Sequence, residues 1–386
     1  MSQSPVGTQH AVLIFADTKR SPEMRREITH GVNDPFLYIE RGDSRNVVVR
    51  ALEIQRMREI EGLESFVEED FGLDDLNGAE LSSDEIHAEI ALRACRRLEV
   101  TSALVPIDFP LAMADHLRAG GVELLPDAAF FAARQRAKLP EQIEGIRRAQ
   151  AAAEAAVGAV ASMLRNAEIE ADGRLFLDGE PITSERLKAS ARVAIARTGA
   201  ATDDFIVAHG PQTCVGHHMG SGEVRAGEPV TVDLGPEDPK TGCGTDMTRT
   251  FVVGEVSDEL AEYHELSREA LRRSLDAIGP GVSTAELHAI ACEVFEQRGH
   301  PTLRTKQPGE MLLDGFFHTL GHGVGLRLHE PPTLGPSGSE LVVGDVIAVE
   351  PGCYRQGYGG VRLEDLILVT DSGSENLTSY PYELKP

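Results

Sequence analysis

Residues His318 to Glu330, His-Thr-Leu-Gly-His-Gly-Val-Gly-Leu-Arg-Leu-His-Glu, decide the fold of this chain. The stretch holds three histidines, His318, His322 and His329, which are four and seven residues apart and have glycines between the first two. Glycine permits backbone conformations and close approaches that other residues resist, so the pattern suits neither a regular helix nor an ordinary core strand. A single buried histidine is commonly a packed core group, but three in one glycine-rich stretch indicate a site.

The composition limits the classes of protein to which the chain can belong. With 386 residues, of which 41% are hydrophobic, it is long enough for two domains with separate cores. Its net charge of -25 argues against a nucleic-acid or anionic-membrane partner, because both surfaces would repel it. The first residues lack the basic and apolar run of a signal peptide, and no apolar stretch approaches a membrane span. We therefore expect a soluble, cytoplasmic protein.

The cysteines do not indicate a disulfide framework or a thiolate zinc site. There are five, they are widely scattered, and no two form a Cys-x-x-Cys pair. We predict that they are reduced and have no catalytic role, although Cys214, Cys243 and Cys353 lie near the motifs described below.

Two domains are predicted, with a boundary between residues 138 and 139. In residues 1–138, short strands alternate with helices, which is typical of a small α/β domain, and nothing there has the spacing of a catalytic site. Its expected task is to cover or shape a site elsewhere. An alanine-rich helix predicted for residues 141–164 opens the second domain, residues 139–386.

The second domain combines long helices with strands of alternating polarity. Helices are expected at 184–197, 258–278 and 283–298, the last opening with Ser-Thr-Ala-Glu as a capping box from Ser283. Strands are expected at 229–234, 247–253, 346–350 and 361–369. Helices in pairs and strands in groups predict an α+β fold, in which helices cover one side of an antiparallel sheet.

Four carboxylates lie inside the apolar strand patterns, where an unpaired charge is costly. They are Asp233, Asp246, Glu350 and Glu364. Each alone could be a salt-bridge partner or a strand-end residue, but with His322 they offer enough ligand atoms for two divalent ions. An oxygen-rich set favours Mn²⁺, Co²⁺, Fe²⁺ or Zn²⁺ over Cu(I). Two such ions can share a nucleophilic hydroxide and polarise a carbonyl, which is the chemistry of amide hydrolysis.

In order and local motif, these five residues resemble the metal ligands of the pita-bread metallopeptidases, the M24 family of methionine aminopeptidase, prolidase and aminopeptidase P. The His318–Glu330 stretch is similar to the prolidase and aminopeptidase P signature, and Arg-Leu-Glu-Asp at 362–365 resembles their Arg-Ile-Glu-Asp. The resemblance implies a pita-bread catalytic domain in residues 139–386. More loosely, it implies a creatinase-like domain in residues 1–138.

The resemblance also implies a role for each ligand. Asp233 would chelate one metal ion, Asp246 and Glu364 would bridge both ions, and His322 and Glu350 would complete the opposite ion. Two divalent ions are the implied cofactors, with Mn²⁺ as the first choice and Co²⁺, Zn²⁺ or Fe²⁺ as alternatives. A homodimer is the implied assembly.

Four further residues match the family's substrate site, and the metal ligand Glu350 has a second role there. His217 corresponds to a histidine that contacts substrate and stabilises the transition state, although the adjacent His218 leaves the alignment open by one position. His318 and His329 would bind the substrate carbonyl or the developing oxyanion. Glu350 would carry a proton to the leaving nitrogen. Arg362 would lie near the substrate tail or, equally, form a salt bridge to a neighbouring carboxylate.

Two features depart from the family pattern. The connection between Asp233 and Asp246 has twelve residues, two more than is usual, and the additional length lies in residues 236–244. A hairpin loop can absorb two residues without reversing the faces of the flanking strands, so we expect the site to persist and its entrance to change. Thr319 occupies a position where the signature usually has a small or basic residue.

These observations predict a dinuclear-metal peptidase that cleaves Xaa-Pro bonds in small peptides, as prolidase or aminopeptidase P does, by means of a metal-bridging hydroxide. The N-terminal domain argues against methionine aminopeptidase, which resembles the catalytic domain alone. One alternative is a hydrolase of the same fold that acts on a non-peptide amide. Another is a non-catalytic pita-bread protein that binds peptides or histones, although such relatives have typically lost metal ligands.

Overall fold

Two units make up the chain in the computed structural model, which describes residues 10–386. The first unit ends at Gln135 and the second runs from Arg136 to Pro386. We retain residues 1–138 and 139–386 as our proposed domain limits. Within residues 10–386, every helix is too short or too polar to cross a bilayer.

The first unit is built on a mixed sheet of six strands in the order β4-β3-β2-β1-β5-β6. Alternate residues of β1 enter different cores: Leu13 packs into one apolar cluster and Ile14 into another, so the sheet is buried on both faces. The strands are β1 (Ala11–Ala16), β2 (Phe36–Arg41), β3 (Ser44–Val49), β4 (Leu63–Val67), β5 (Ser102–Val105) and β6 (Glu123–Pro126). The helices are α1 (Pro22–Glu27), α2 (Ile54–Arg58), α3 (Leu73–Asn77), α4 (Ser83–Arg97), α5 (Leu111–Ala119) and α6 (Ala128–Arg136).

The second unit has four long helices that pack as two pairs. They are α7 (Pro140–Arg165), α8 (Ser184–Thr198), α9 (Asp258–Ala277) and α10 (Thr284–Glu296). The predicted alanine-rich helix is therefore present as α7, which begins with a proline and buries small side chains such as Ala153 and Ala156. The pair α7–α8 packs on one core cluster, and the pair α9–α10 packs on another.

The strands of the second unit form antiparallel sheets. One sheet has the order β10-β11-β14 and another has the order β16-β15-β17-β20-β21, and three smaller sheets complete the set. The strands are β7 (Glu168–Ile169), β8 (Leu175–Leu177), β9 (Glu180–Pro181), β10 (Ile206–His209), β11 (Pro229–Leu234), β12 (Glu237–Asp238), β13 (Cys243–Gly244), β14 (Met247–Val252), β15 (Gly321–Gly323), β16 (Glu330–Leu334), β17 (Val346–Val349), β18 (Gly352–Arg355), β19 (Gly359–Arg362), β20 (Asp365–Thr370) and β21 (Gly373–Asn376). The second unit thus has the predicted α+β character.

Two local predictions were wrong. Residues 361–369 do not form one strand: β19 ends at Arg362, and β20 begins at Asp365 in a different sheet. Because of this break, Glu364 lies between the two strands and outside their strand pairing. The capping box at Ser283 is also absent, because its side chain makes no capping hydrogen bond. Instead, Thr284 N donates to Ser339 O at 2.9 Å and Thr284 Oγ1 accepts from Ser339 N, so a neighbouring segment satisfies this helix end.

Candidate metal centre

A β-hairpin positions the two aspartates of the predicted ligand set. Asp233 lies in β11 opposite Thr248 of β14, and Asp246 immediately precedes β14. The longer connection between them forms a short hairpin of its own, in which Asp238 of β12 pairs with Cys243 of β13. The Asp238 carboxylate lies 2.8 Å from Arg148 on α7, which ties the hairpin to the helix.

In strand β15, His322 lies between two glycines whose backbone is in close contact with the neighbouring strands. The strand pairs with β16 on one side and β17 on the other. A Cβ atom at Gly321 would lie 1.9 Å from Ala348 O, and one at Gly323 would lie 2.4 Å from Pro331 O. Since neither position could accept a side chain without moving backbone, the glycines of the signature are required by packing.

The hydrogen bonding of His322 directs one ring nitrogen towards the carboxylates. Nδ1 lies 3.0 Å from Gly323 O, so it carries the hydrogen in the neutral ring. Burial, followed by the neighbouring His329, lowers the pKa of His322 to about 4. The neutral ring therefore presents the lone pair of Nε2, which lies 3.6 Å from Asp246 Oδ2 and 3.8 Å from Glu350 Oε1.

The two glutamates come from the ends of neighbouring strands. Glu350 follows β17, and its amide donates to Leu320 O at 2.8 Å. Glu364 lies in the break between β19 and β20, where its amide donates to Thr248 O at 3.1 Å and its carboxylate accepts from Thr248 Oγ1 at 2.7 Å. The backbone of both residues is thereby fixed, and Thr248 also holds the Glu364 carboxylate.

These elements bring the five predicted ligands into one cluster. Ligand atoms of Asp233, Asp246 and Glu364 lie within 4.8 Å of one another, and so do those of His322, Glu350 and Glu364. Burial is the largest cause that raises the pKa values of Asp246 and Glu364 well above their usual range, and nearby carboxylates raise them further. Burial likewise raises the pKa of Glu350 to about 8. The cluster therefore needs additional positive charge to ionise, and its oxygen-rich donor set fits divalent cations.

A cavity of about 660 Å³ opens onto the cluster. The five clustered residues and His217 line it, and part of its wall is apolar, formed by Phe205, Ile206, Met219, Phe317 and Leu328. His218, the alternative to His217, instead accepts a hydrogen bond at Nδ1 from Gly220 N. A cavity that combines apolar side chains with a few carboxylates and imidazoles is typical of a small-molecule site.

His318 also lines the cavity, and both of its ring nitrogens take part in a chain of hydrogen bonds. Burial lowers its pKa to about 3, so the ring is neutral, and Nδ1 donates to Thr319 O at 2.8 Å. Nε2 therefore accepts from Tyr354 Oη at 3.0 Å. Tyr354 Oη accepts in turn from Arg362 Nη1 at 3.2 Å. In this arrangement His318 has no N–H left for a substrate carbonyl.

Arg362 forms the salt bridge that was one of its two predicted alternatives. Its guanidinium pairs with the carboxylate of Asp233, donates to Tyr354 Oη and is buried at the edge of the cavity. Arg362 thus connects the Tyr354 hydroxyl to a predicted metal ligand.

His329 lies at the cavity surface beside His322, with ring centroids 4.1 Å apart. Burial lowers its pKa, with His217 as the next cause, so the ring is neutral near pH 7. A neutral imidazole on this wall can donate one N–H to a carbonyl oxygen in the cavity.

Two residues of the site were missed by sequence reasoning. Thr248 holds the Glu364 carboxylate, and Tyr354 joins His318 to Arg362. Thr248 stands two residues after Asp246, so its proximity to a ligand was a usable signal. Tyr354 follows Pro-Gly-Cys in an apolar strand, and nothing in that pattern distinguishes it from a core tyrosine.

Comparisons with known proteins agree with this geometry. The description "Metallopeptidase family M24" fits residues 144–371. The sequence is 36% identical over 183 residues to a Xaa-Pro dipeptidase of Pyrococcus furiosus, a match that covers 47% of this chain and 49% of that relative. It is 35% identical over 182 residues to a probable dipeptidase PepE of Mycobacterium tuberculosis, covering 46% and 45%. The matches thus span about half the length of these curated relatives.

Solved structures match over almost the whole chain. A Xaa-Pro dipeptidase from Bacillus anthracis has a TM-score of 0.78 at 22% identity, covering 97% of this chain and 94% of that one. An X-Pro aminopeptidase from Thermotoga maritima has a TM-score of 0.77 at 20% identity, covering 96% of each chain. The prolidase from Pyrococcus furiosus has a TM-score of 0.74 at 25% identity, also covering 96% of each. The shared fold is the two-domain architecture of these enzymes.

Proposed function

The chain belongs to metallopeptidase family M24, and we propose that it hydrolyses Xaa-Pro peptide bonds with two divalent metal ions. The observation that carries the proposal is the cluster of Asp233, Asp246, His322, Glu350 and Glu364, which line the cavity. The names of its relatives support the choice of bond, since they include Xaa-Pro dipeptidases and an X-Pro aminopeptidase.

In this proposal Asp233 would hold one ion, His322 and Glu350 would hold the other, and Asp246 and Glu364 would be shared between them. The ions would supply a nucleophile from water at neutral pH and would polarise the scissile carbonyl. Mn²⁺ is our first choice of metal, and a homodimer is our proposed assembly.

The protein's own groups would orient the peptide and move the proton. Glu350 would accept a proton from the nucleophile and deliver it to the leaving nitrogen. His217 and His329 line the same cavity and would donate hydrogen bonds to the substrate carbonyl as negative charge develops on it. We assign His318 an indirect role, which is to fix the Tyr354 hydroxyl against Arg362.

Mass-spectrometric product analysis with Mn²⁺-loaded protein tests the proposal. The substrates are Xaa-Pro dipeptides and longer peptides with proline in second position. Cleavage of dipeptides alone would identify a dipeptidase, and release of the first residue from longer peptides would identify an aminopeptidase. If metal is bound and neither set is cut, the proline assignment fails and other small amides become the substrates to test.

Two matched variants distinguish the effect of losing a metal ligand from the general effect of changing an aspartate. Asp246→Asn should abolish hydrolysis while leaving the fold intact, because it removes a proposed bridging carboxylate. Asp276→Asn changes an exposed aspartate on α9 and should retain full activity. Activity that survives in Asp246→Asn, or in the presence of excess chelator, would contradict the dinuclear mechanism.

A further inference from the structure

Strand β10 ends at His209, and the following loop, residues 210–222, brings His217 into the cavity. The His209 side chain is 11% exposed. Its Nδ1 lies 2.9 Å from Glu228 Oε2, and its Nε2 lies 3.1 Å from Ser221 O. One partner is a carboxylate and the other a backbone carbonyl, so both ring nitrogens face hydrogen-bond acceptors.

A neutral imidazole cannot satisfy both contacts, because it carries a hydrogen on only one nitrogen. With Glu228 ionised, one of the two acceptors would face a ring lone pair. An imidazolium has a hydrogen on each nitrogen, and its bond to Glu228 is charge-assisted. We propose that His209 and Glu228 form an imidazolium–carboxylate pair that pins the loop carrying His217, so that the order of this loop depends on pH.

The backbone oxygen that His209 contacts, Ser221 O, lies near the end of the loop. It also accepts from Gln212 Nε2 at 2.8 Å, while Ser221 N lies 3.2 Å from Gln212 Oε1. The preceding residue, Gly220, has a positive φ of 86°, and a Cβ atom there would lie 1.7 Å from Val207 O. His209, Gln212 and Glu185, which accepts from Gly222 N, thus hold the end of the loop after His217.

Glu228 contacts the His209 ring, and a second carboxylate at this loop, Glu185 of α8, instead accepts from Gly222 N at 3.2 Å. On the loop itself, Cys214 Sγ donates to Pro211 O, and His218 Nδ1 accepts from Gly220 N. On β11, the residue opposite His209 is Val230. Hairpin β18–β19 approaches the start of the loop through Gly359 and Gly360, which carry no charge.

Hydrogen exchange of the loop amides tests the proposal without substrate, so its result is independent of the peptidase assignment. The reporters are the amides of His218 and Ser221, which donate to Val215 O and Gln212 Oε1. Their protection factors, corrected for intrinsic exchange at each pH, should fall roughly tenfold once the pH is high enough to remove one of the two ring hydrogens of His209. Amides in the middle of α7 should not change and serve as the reference.

Glu228→Gln is the matched variant. The glutamine amide can donate to Nδ1 of a neutral ring, so Nε2–H stays on Ser221 O at every pH. Loop protection in Glu228→Gln should therefore be independent of pH, whereas His209→Phe should lower it about tenfold throughout. A pH-dependent loss of the same size in Glu228→Gln would overturn the proposal and implicate another group, such as His218.

Nitrogen-15 spectra of the histidine side chains give a second readout on the unmodified protein. The His209 signals, assigned by their loss in His209→Phe, should show two protonated ring nitrogens at neutral pH. The pattern of a neutral ring at that pH would overturn the proposal even if a variant failed to fold.

Discussion

At the scale of single residues, the buried carboxylates of the metal cluster link folding stability to pH. Asp246, Glu350 and Glu364 all have raised pKa values, with burial as the first cause. A raised pKa in the folded state means that the folded protein binds more protons than the unfolded chain. In the metal-free protein, the stability contributed by the protonated groups is therefore lost as pH rises.

We predict that the free energy of unfolding falls with rising pH when a chelator keeps the protein free of metal. For Glu350 the window runs from its ordinary value of 4.5 to about 8. Each such group should lower the free energy of unfolding by up to about 1.4 kcal/mol per pH unit within its window. Urea unfolding at a series of pH values measures the slope.

Asp246→Asn should make that slope shallower, because the variant has one ionisable carboxyl fewer in the cluster. Excess Mn²⁺ should reverse the trend for the unmodified protein, since metal binds the deprotonated carboxylates and releases protons. A metal-free protein whose stability rises between pH 7 and 8, above the range in which the neighbouring histidines lose their protons, would show that these groups are not buried together.

At the scale of elements, Arg249 on β14 connects three segments. Its guanidinium is 1% exposed and lies 2.9 Å from Asp365 Oδ1 at the start of β20. It also donates to Glu364 O at 2.7 Å and to the carbonyl oxygens of Tyr380 and Pro381. The same side chain therefore joins the hairpin of Asp246 to the backbone of Glu364.

We predict that Arg249→Met lowers the free energy of unfolding by about 3 to 5 kcal/mol, because it leaves Asp365 buried without its cation. Arg272→Met, which breaks an exposed pair with Glu269, should cost at most about 1 kcal/mol. Guanidinium unfolding of both variants gives the comparison. Equal losses in the two would mean that burial of the Arg249 pair has no energetic consequence.

Elements differ in how far the sequence could predict them. Strands β11 and β14 and helix α7 follow from apolar periodicity and helix propensity, which act locally. The break at Glu364 does not follow, because the apolar pattern of residues 361–369 continues across it while the hydrogen bonds change sheets. The five predicted ligands came from motifs, but the bond from Tyr354 to His318 joins residues whose proximity only tertiary packing creates. The two contacts of the His209 ring could not be predicted from the sequence for the same reason.

At the scale of the whole molecule, the net charge of -25 opposes compaction. We predict that sodium chloride raises the thermal midpoint of the metal-loaded protein by about 2 to 4 °C for each 1 kcal/mol of repulsion that it screens. Calorimetric scans at increasing salt measure the effect. The increase should vanish at the pH where the net charge approaches zero, and an undiminished increase there would assign it to another cause.

The order in which the ligand residues occur along the chain has a consequence for biosynthesis. A ribosome extends the polypeptide past Asp233 and Asp246 well before it adds His322, Glu350 and Glu364. A nascent chain therefore offers an early cation only a partial set of donors, and the complete set arises once β20 has joined its sheet. Metal capture by all five residues would thus occur late in synthesis or after release, and would mark chains that have finished folding.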